Sequence, residues 1–122
     1  MIRMMIVDDA QSIRNRICRL AADPRLPELD IVGSARNGAT AVRIFRDTRP
    51  QLVTMDLTMP EMDGVECTAE LCAIDPAVAI LVVSALTDKF TAIRALENGA
   101  RGFLEKPFTD DELVCALIEV MK

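Results

Sequence analysis

Leu52-Val53-Thr54-Met55-Asp56 is an apolar run that halts on a carboxylate, and three further runs halt in a similar way. Met4-Met5-Ile6-Val7 ends in Asp8-Asp9, Ala79-Ile80-Leu81-Val82-Val83 ends in Ser84, and Phe103-Leu104-Glu105 ends in Lys106-Pro107. Runs this short and apolar read as strands buried on both faces, which calls for a parallel sheet with helices on each side. If they are neighbours, their carboxyl ends share one edge of the sheet. Three carboxylates, a hydroxyl and an ammonium then converge on a pocket able to hold a divalent cation and a phosphoryl group.

Helical patterns fill the intervals. Ile13, Ile17, Leu20 and Ala21 form one face of a first helix, which Pro24 and Pro27 end. Ile31-Val32-Gly33-Ser34-Ala35 is a short strand, Asn37-Gly38 a turn, and Ala41, Ile44 and Phe45 mark a second helix. Pro50 separates that helix from the strand ending at Asp56, and Met59-Pro60-Glu61-Met62-Asp63-Gly64 reads as a loop. Val65, Ala69 and Cys72 give a third helical face, closed by Asp75-Pro76. Thr87-Asp88 can cap a fourth helix with Ala92, Ala95 and Leu96 inward, and Asn98-Gly99 stops it. Residues 101–105 form the last strand. Thr109 and Glu112 make a capping box for a final helix with Val114, Leu117, Ile118 and Met121 inward. The expected architecture is a single α/β domain over residues 1–122: (βα)5, doubly wound and flavodoxin-like, with a five-stranded parallel sheet in the order 2-1-3-4-5. In such a sheet the ligand sits where the strand order reverses, beside the ends of strands one and three. Those ends carry Asp8, Asp9 and Asp56.

Composition narrows the function. The chain has 122 residues, 51% of them hydrophobic, which suits one packed domain. Its net charge of -5 and lack of a basic stripe argue against nucleic-acid binding. The longest apolar stretch, Ala77 to Leu86, is far below the ~20 residues of a membrane span, and no signal segment precedes the first strand. A cytoplasmic protein is expected. There is no histidine, so Ser-His and Cys-His catalysis are excluded, and any phosphohistidine donor must be another molecule. Cys18, Cys67, Cys72 and Cys115 form no C-x-x-C pair and read as small buried hydrophobes in a reducing compartment.

The pocket has a definite chemistry. Crowded carboxylates are costly without a cation, and a hard, all-oxygen ligand set suits Mg²⁺. Helix capping is the plainer reading of Asp8 and Asp9, but it accounts for one acid rather than two adjacent acids facing a third. Asp56 is the candidate nucleophile, since a carboxylate can attack phosphorus to give an aspartyl phosphate. Lys106 and the Ser84 hydroxyl can neutralise or hydrogen-bond the phosphoryl oxygens.

MIVDDA, DLTMPEMDG, LVVSAL and GARGFLEKPF occur in this order and at the spacing of one family. From end to end the chain resembles the receiver domain of two-component response regulators, most of all the stand-alone chemotaxis regulators. The resemblance implies that Asp56 is the phospho-acceptor. It implies that Asp9, Asp56 and the backbone carbonyl of Thr58 bind Mg²⁺ directly and Asp8 through water. It implies that Lys106 contacts the phosphoryl group and that the Lys106-Pro107 bond is cis. Ser84 and Phe103 would be the switch pair, the hydroxyl moving towards the phosphoryl and the ring turning inward. Thr58 and Leu86 would flank the phosphoryl group and tune its lifetime. The implied partners are a histidine kinase as phosphodonor and a downstream target protein. The target would dock on the face made by the helix from Asp88 to Asn98, the last strand and the helix from Asp110 to Met121. Phe90 and Ile93 are candidate contacts there. A phosphatase is a third candidate partner. The protein would be a phospho-accepting switch that promotes only its own phosphorylation and dephosphorylation, rather than an enzyme.

Other readings fit less well. A phosphohydrolase of the haloacid dehalogenase type needs a second Asp two residues after the nucleophile, where this chain has Thr58. A flavodoxin needs a hydroxyl- and Gly-rich phosphate loop after strand one, where Asp8-Asp9 would repel phosphate. A pseudo-receiver would be expected to lack one of the five pocket residues, and none is missing. If the chain is complete, no effector domain follows Lys122. A chemotaxis regulator, a phosphorelay shuttle and the receiver of a larger protein such as the chemotaxis methylesterase then remain.

Overall fold

The structure, a computed structural model, describes residues 1–59, 61–85 and 89–122. Pro60, Leu86 and the expected cap at Thr87-Asp88 lie outside the described residues. The elements alternate: β1 (Ile2–Val7), α1 (Gln11–Leu20), β2 (Leu29–Ala35), α2 (Gly38–Thr48), β3 (Leu52–Met55), α3 (Gly64–Ile74), β4 (Ala79–Ser84), α4 (Lys89–Glu97), β5 (Gly102–Glu105) and α5 (Asp110–Val120). The sheet has five strands in the order β2-β1-β3-β4-β5, every pair parallel. The chain thus reverses direction across the sheet at β1, and a crevice opens beside the carboxyl ends of β1 and β3, as in doubly wound folds generally.

The sheet divides two cores. Met5, Val7, Val53, Met55, Ile80 and Val82 point to one side, where Phe45, Leu71 and Ala95 from α2, α3 and α4 cover them. Met4, Ile6, Leu52, Leu81 and Val83 point to the other, under Ile17 of α1 and Leu113 and Leu117 of α5. Because successive strand side chains alternate sides, central strands buried on both faces must be apolar at every position. β3 and β4 are buried throughout, whereas the edge strand β5 is only half-buried and ends exposed at Glu105. Double burial therefore holds for the central strands and not for the edges, each of which has one neighbour fewer.

Helix starts follow the side chains available. Asn37 caps α2 by accepting from Thr40 N at 2.8 Å, and Asp63 caps α3 by accepting from Glu66 N at 2.9 Å. Thr109 and Glu112 form the reciprocal box that opens α5. By contrast α1 begins after Ala10 with no side-chain cap, so neither Asp8 nor Asp9 is spent on capping.

Two helical faces differ from expectation. In α3 the buried residues include Val65, Cys67, Thr68 and Leu71, while Ala69 and Cys72 are only half-buried. α3 lies between α2 and α4, which widens its covered face beyond one stripe. In α4 only Ala95 is buried; Ala92 is half-buried and Leu96 is exposed, together with Phe90 and Ile93. Those three apolar residues, spaced by three, line the outer side of the helix. The cysteines also divide. Cys67 is buried, with its thiol pushed up to about 12 by desolvation first and by the charges of Glu70 and Asp63, but Cys18 and Cys115 are exposed. All four are free thiols.

Candidate functional site

Strand register brings the site together. Val7 pairs with Met55 and Ser84 with Glu105, so the residues after β1, β3 and β5 and the last residue of β4 fall on one edge. Backbone bonds fix that edge: Asp56 N donates to Val7 O at 2.9 Å, Asp8 N to Ala35 O at 3.0 Å, and Lys106 N to Ser84 O at 3.0 Å. Asp8, Asp56 and Ser84 are buried, Lys106 is half-buried, and Asp9 is exposed at the rim. Ligand oxygens of Asp8, Asp9 and Asp56 all lie within 4.8 Å of one another.

Each acid has different partners. Asp8 Oδ1 accepts from Ala10 N at 2.9 Å, and its Oδ2 accepts from Lys106 Nζ at 2.7 Å. Asp56 Oδ1 accepts from the Ser84 hydroxyl at 3.0 Å and from Thr58 N and Oγ1, both at 3.3 Å. Asp56 Oδ2 faces Lys106 Nζ at 3.9 Å and accepts no hydrogen bond among the described residues. The Asp56 carboxyl is held above the ordinary carboxylate range, chiefly by burial and then by the Asp8 charge. Lys106 and the donors Thr58 and Ser84 oppose that rise without cancelling it. A buried carboxylate beside two others, with one ammonium between, is poised to gain from a second cation. The donor set, oxygen only, fits Mg²⁺.

The Lys106-Pro107 bond is cis. Phe103 is half-buried and packs against the core on the α2–α4 side of the sheet. The Ser84 hydroxyl already lies within hydrogen-bonding distance of Asp56, and Leu57 N donates to it at 3.4 Å. Thr58 is exposed beside Asp56.

Three features at this edge escaped the sequence reading. Arg14 Nη1 donates to the Asp8 carbonyl at 2.6 Å and so holds the turn that presents both acids. Gly64 sits so close to the acceptor that a Cβ there would lie 2.2 Å from the Asp56 carbonyl oxygen. By sequence Gly64 marks only the end of a loop; its place eight residues after a strand-end acid is the one signal of this close approach. Third, Asp9, Arg36, Asn37 and Glu61 line an open cleft of about 370 Å³.

Residues 4–118 match the response regulator receiver domain, and the chain belongs to that family. Among curated proteins it is 36% identical to the chemotaxis protein CheY of Listeria monocytogenes over 122 residues, the full length of both chains. It is 41% identical to a protein-glutamate methylesterase/protein-glutamine glutaminase of Halobacterium salinarum over 109 residues, 88% of this chain and 30% of that one. Among solved structures, a LuxR-family two-component response regulator from Aurantimonas superposes with a TM-score of 0.87 at 35% identity, covering 98% of this chain and 84% of that one. Among the described residues, no helix is long and apolar enough to cross a membrane.

Proposed function

We propose that this chain is a phosphorylation-activated signalling switch in which Asp56 accepts a phosphoryl group from a histidine kinase. The observation that carries the reading is the asymmetry of Asp56. Three donors hold Oδ1, while among the described residues Oδ2 faces only an ammonium at 3.9 Å. Oδ2 is the nucleophile: its lone pair forms the O–P bond as the P–N bond of phosphohistidine breaks and the imidazole leaves. Lys106 exchanges part of its contact with Asp8 for the incoming phosphoryl oxygens. Ser84 turns its hydroxyl from Oδ1 to a phosphoryl oxygen, which draws it further over the acceptor.

Asp9 and Asp56 would hold Mg²⁺ directly, with the Thr58 carbonyl. Asp8, whose two oxygens already serve Ala10 N and Lys106, would act through water. Bound there, Mg²⁺ would neutralise charge developing on the transferring group. Ser84 and Phe103 form the switch pair, and α4, β5 and α5 form the surface that a downstream target reads. The full-length match to chemotaxis CheY proteins favours a chemotaxis role; the methylesterase relative keeps alive the reading as the receiver of a larger regulator. A chemotaxis-type kinase autophosphorylated with labelled ATP tests the reading. Label should pass to this chain in Mg²⁺ and stay on the kinase in excess EDTA.

A further inference from the structure

The cleft lined by Asp9, Arg36, Asn37 and Glu61 adjoins the acid cluster through Asp9, and of its lining only Asp9 enters the mechanism above. Arg36 follows Ala35, the last residue of β2, whose carbonyl accepts from Asp8 N. It therefore stands at the same sheet edge as the three acids. It is exposed and makes no ion pair among the described residues. Two other cations at this edge are already engaged: Lys106 pairs with Asp8, and Arg14 donates to the Asp8 carbonyl. Glu61 also lines the cleft, exposed and held at φ 71°, a left-handed conformation that a glutamate adopts at a cost. Asn37 is occupied in capping α2. The cleft thus carries a cation, Arg36, and an anion, Glu61, that the mechanism above does not use.

We propose that Arg36 is a positioning residue that draws anionic phosphodonors to Asp56, and that Glu61 opposes it. This inference rests on the reading of Asp56 as acceptor. The physical argument is the field at the mouth of the pocket. A donor carrying a dianionic phosphoryl group must approach three carboxylates on a chain of net charge -5. A guanidinium lining the same cleft as Asp9 lowers that barrier, and a carboxylate in that lining raises it. The same two charges act on Mg²⁺ with the reverse sign, because the ion is a cation. A residue that merely shaped the loop would not move the two readouts in opposite directions.

The test measures the phosphorylation rate with acetyl phosphate and with phosphoramidate at neutral pH, and Mg²⁺ affinity by calorimetry. Arg36→Ala should slow acetyl phosphate about three- to tenfold, the range expected of one charge at partly screened distance. It should slow phosphoramidate, which carries less negative charge at that pH, about twofold or less. Its Mg²⁺ binding should tighten. Arg36→Lys should restore the rate, and added salt should shrink the gap. Glu61→Gln should do the reverse, speeding acetyl phosphate and weakening Mg²⁺. A phosphohistidine kinase domain as donor separates the two sources of phosphoryl group: an equal loss there extends the inference to protein donors, and no loss confines it to small acyl phosphates. If wild type is phosphorylated and all variants stay within about twofold of it with unchanged Mg²⁺ affinity, this inference is overturned while the acceptor assignment stands. If wild type takes no phosphoryl group at all, both fall.

Discussion

In the absence of divalent cations, Asp56→Asn is expected to make the fold more stable, although it removes the residue on which function rests. Asp56 is 2% exposed, and its carboxylate lies within 4.8 Å of those of Asp8 and Asp9. At that distance and an effective dielectric constant of about 20, each repulsion costs about 3.5 kcal/mol. Lys106, 3.9 Å away, offers about 4 kcal/mol in return on the same scale. Asp9 is exposed, and water screens most of its share. These charge terms nearly cancel, so the penalty that remains, on the order of 1–3 kcal/mol, is chiefly the cost of desolvating the buried carboxylate, and a neutral amide removes it. Asn Oδ1 can still accept from Ser84 and Thr58, so those bonds are kept. For a domain of this size the gain corresponds to a rise in Tm of about 3–10 °C. The pH dependence has a defined sign. Because the Asp56 carboxyl titrates above its usual value in the folded chain, the native state binds more protons than the unfolded one between the ordinary and the raised value. Wild-type stability therefore falls as pH rises through that window, and Asp56→Asn flattens the fall. Thermal unfolding by circular dichroism in EDTA, from acid to neutral pH, reads both effects. Mg²⁺ should then raise the wild-type Tm and narrow the gap. A variant that melts below wild type in EDTA at neutral pH would refute the electrostatic account.

Lys106→Ala should act in the opposite direction, since it strips the counter-charge from Asp8 and Asp56; a loss of about 1–3 kcal/mol in EDTA, partly recovered in Mg²⁺, is expected from urea unfolding. Gly64→Ala should cost about 1–3 kcal/mol in the same assay and slow phosphorylation, because the new methyl would press on the Asp56 carbonyl and shift the acceptor. Thr54→Val should raise Tm slightly, by the equivalent of about 1 kcal/mol, because the buried Thr54 hydroxyl has no hydrogen-bond partner among the described residues. Phosphorylation should tighten binding of a cognate target about five- to a hundredfold, and Ser84→Ala with Phe103→Ala should shrink that ratio; unchanged ratios in both would remove them as the switch.

Much of this was legible because it is written in contrasts of polarity. β3 and β4 are so apolar that only a doubly covered position suits them, and the charged or hydroxylated residues that follow mark the crevice without ambiguity. The caps at Asn37, Asp63 and Thr109 carry local chemistry that a sequence displays directly. What stayed hidden depends on distances between segments remote in sequence. Leu96 looked like an inward residue by spacing, but the helix rotation leaves Ala95 as its one buried residue. Gly64 and Arg14 matter because folding brings one against Asp56 and the other against the Asp8 carbonyl. Arg36 and Glu61 each lie in a segment that reads as a turn or loop, and only the fold sets them on one cleft with Asp9.

The acceptor assignment is tested most directly by intact-protein mass measurement after incubation with acetyl phosphate and Mg²⁺. Wild type should gain the mass of one phosphoryl group, the gain should vanish in EDTA, and Asp56→Asn should gain nothing. An adduct of that mass persisting on Asp56→Asn, or formed equally well in EDTA, would contradict the account.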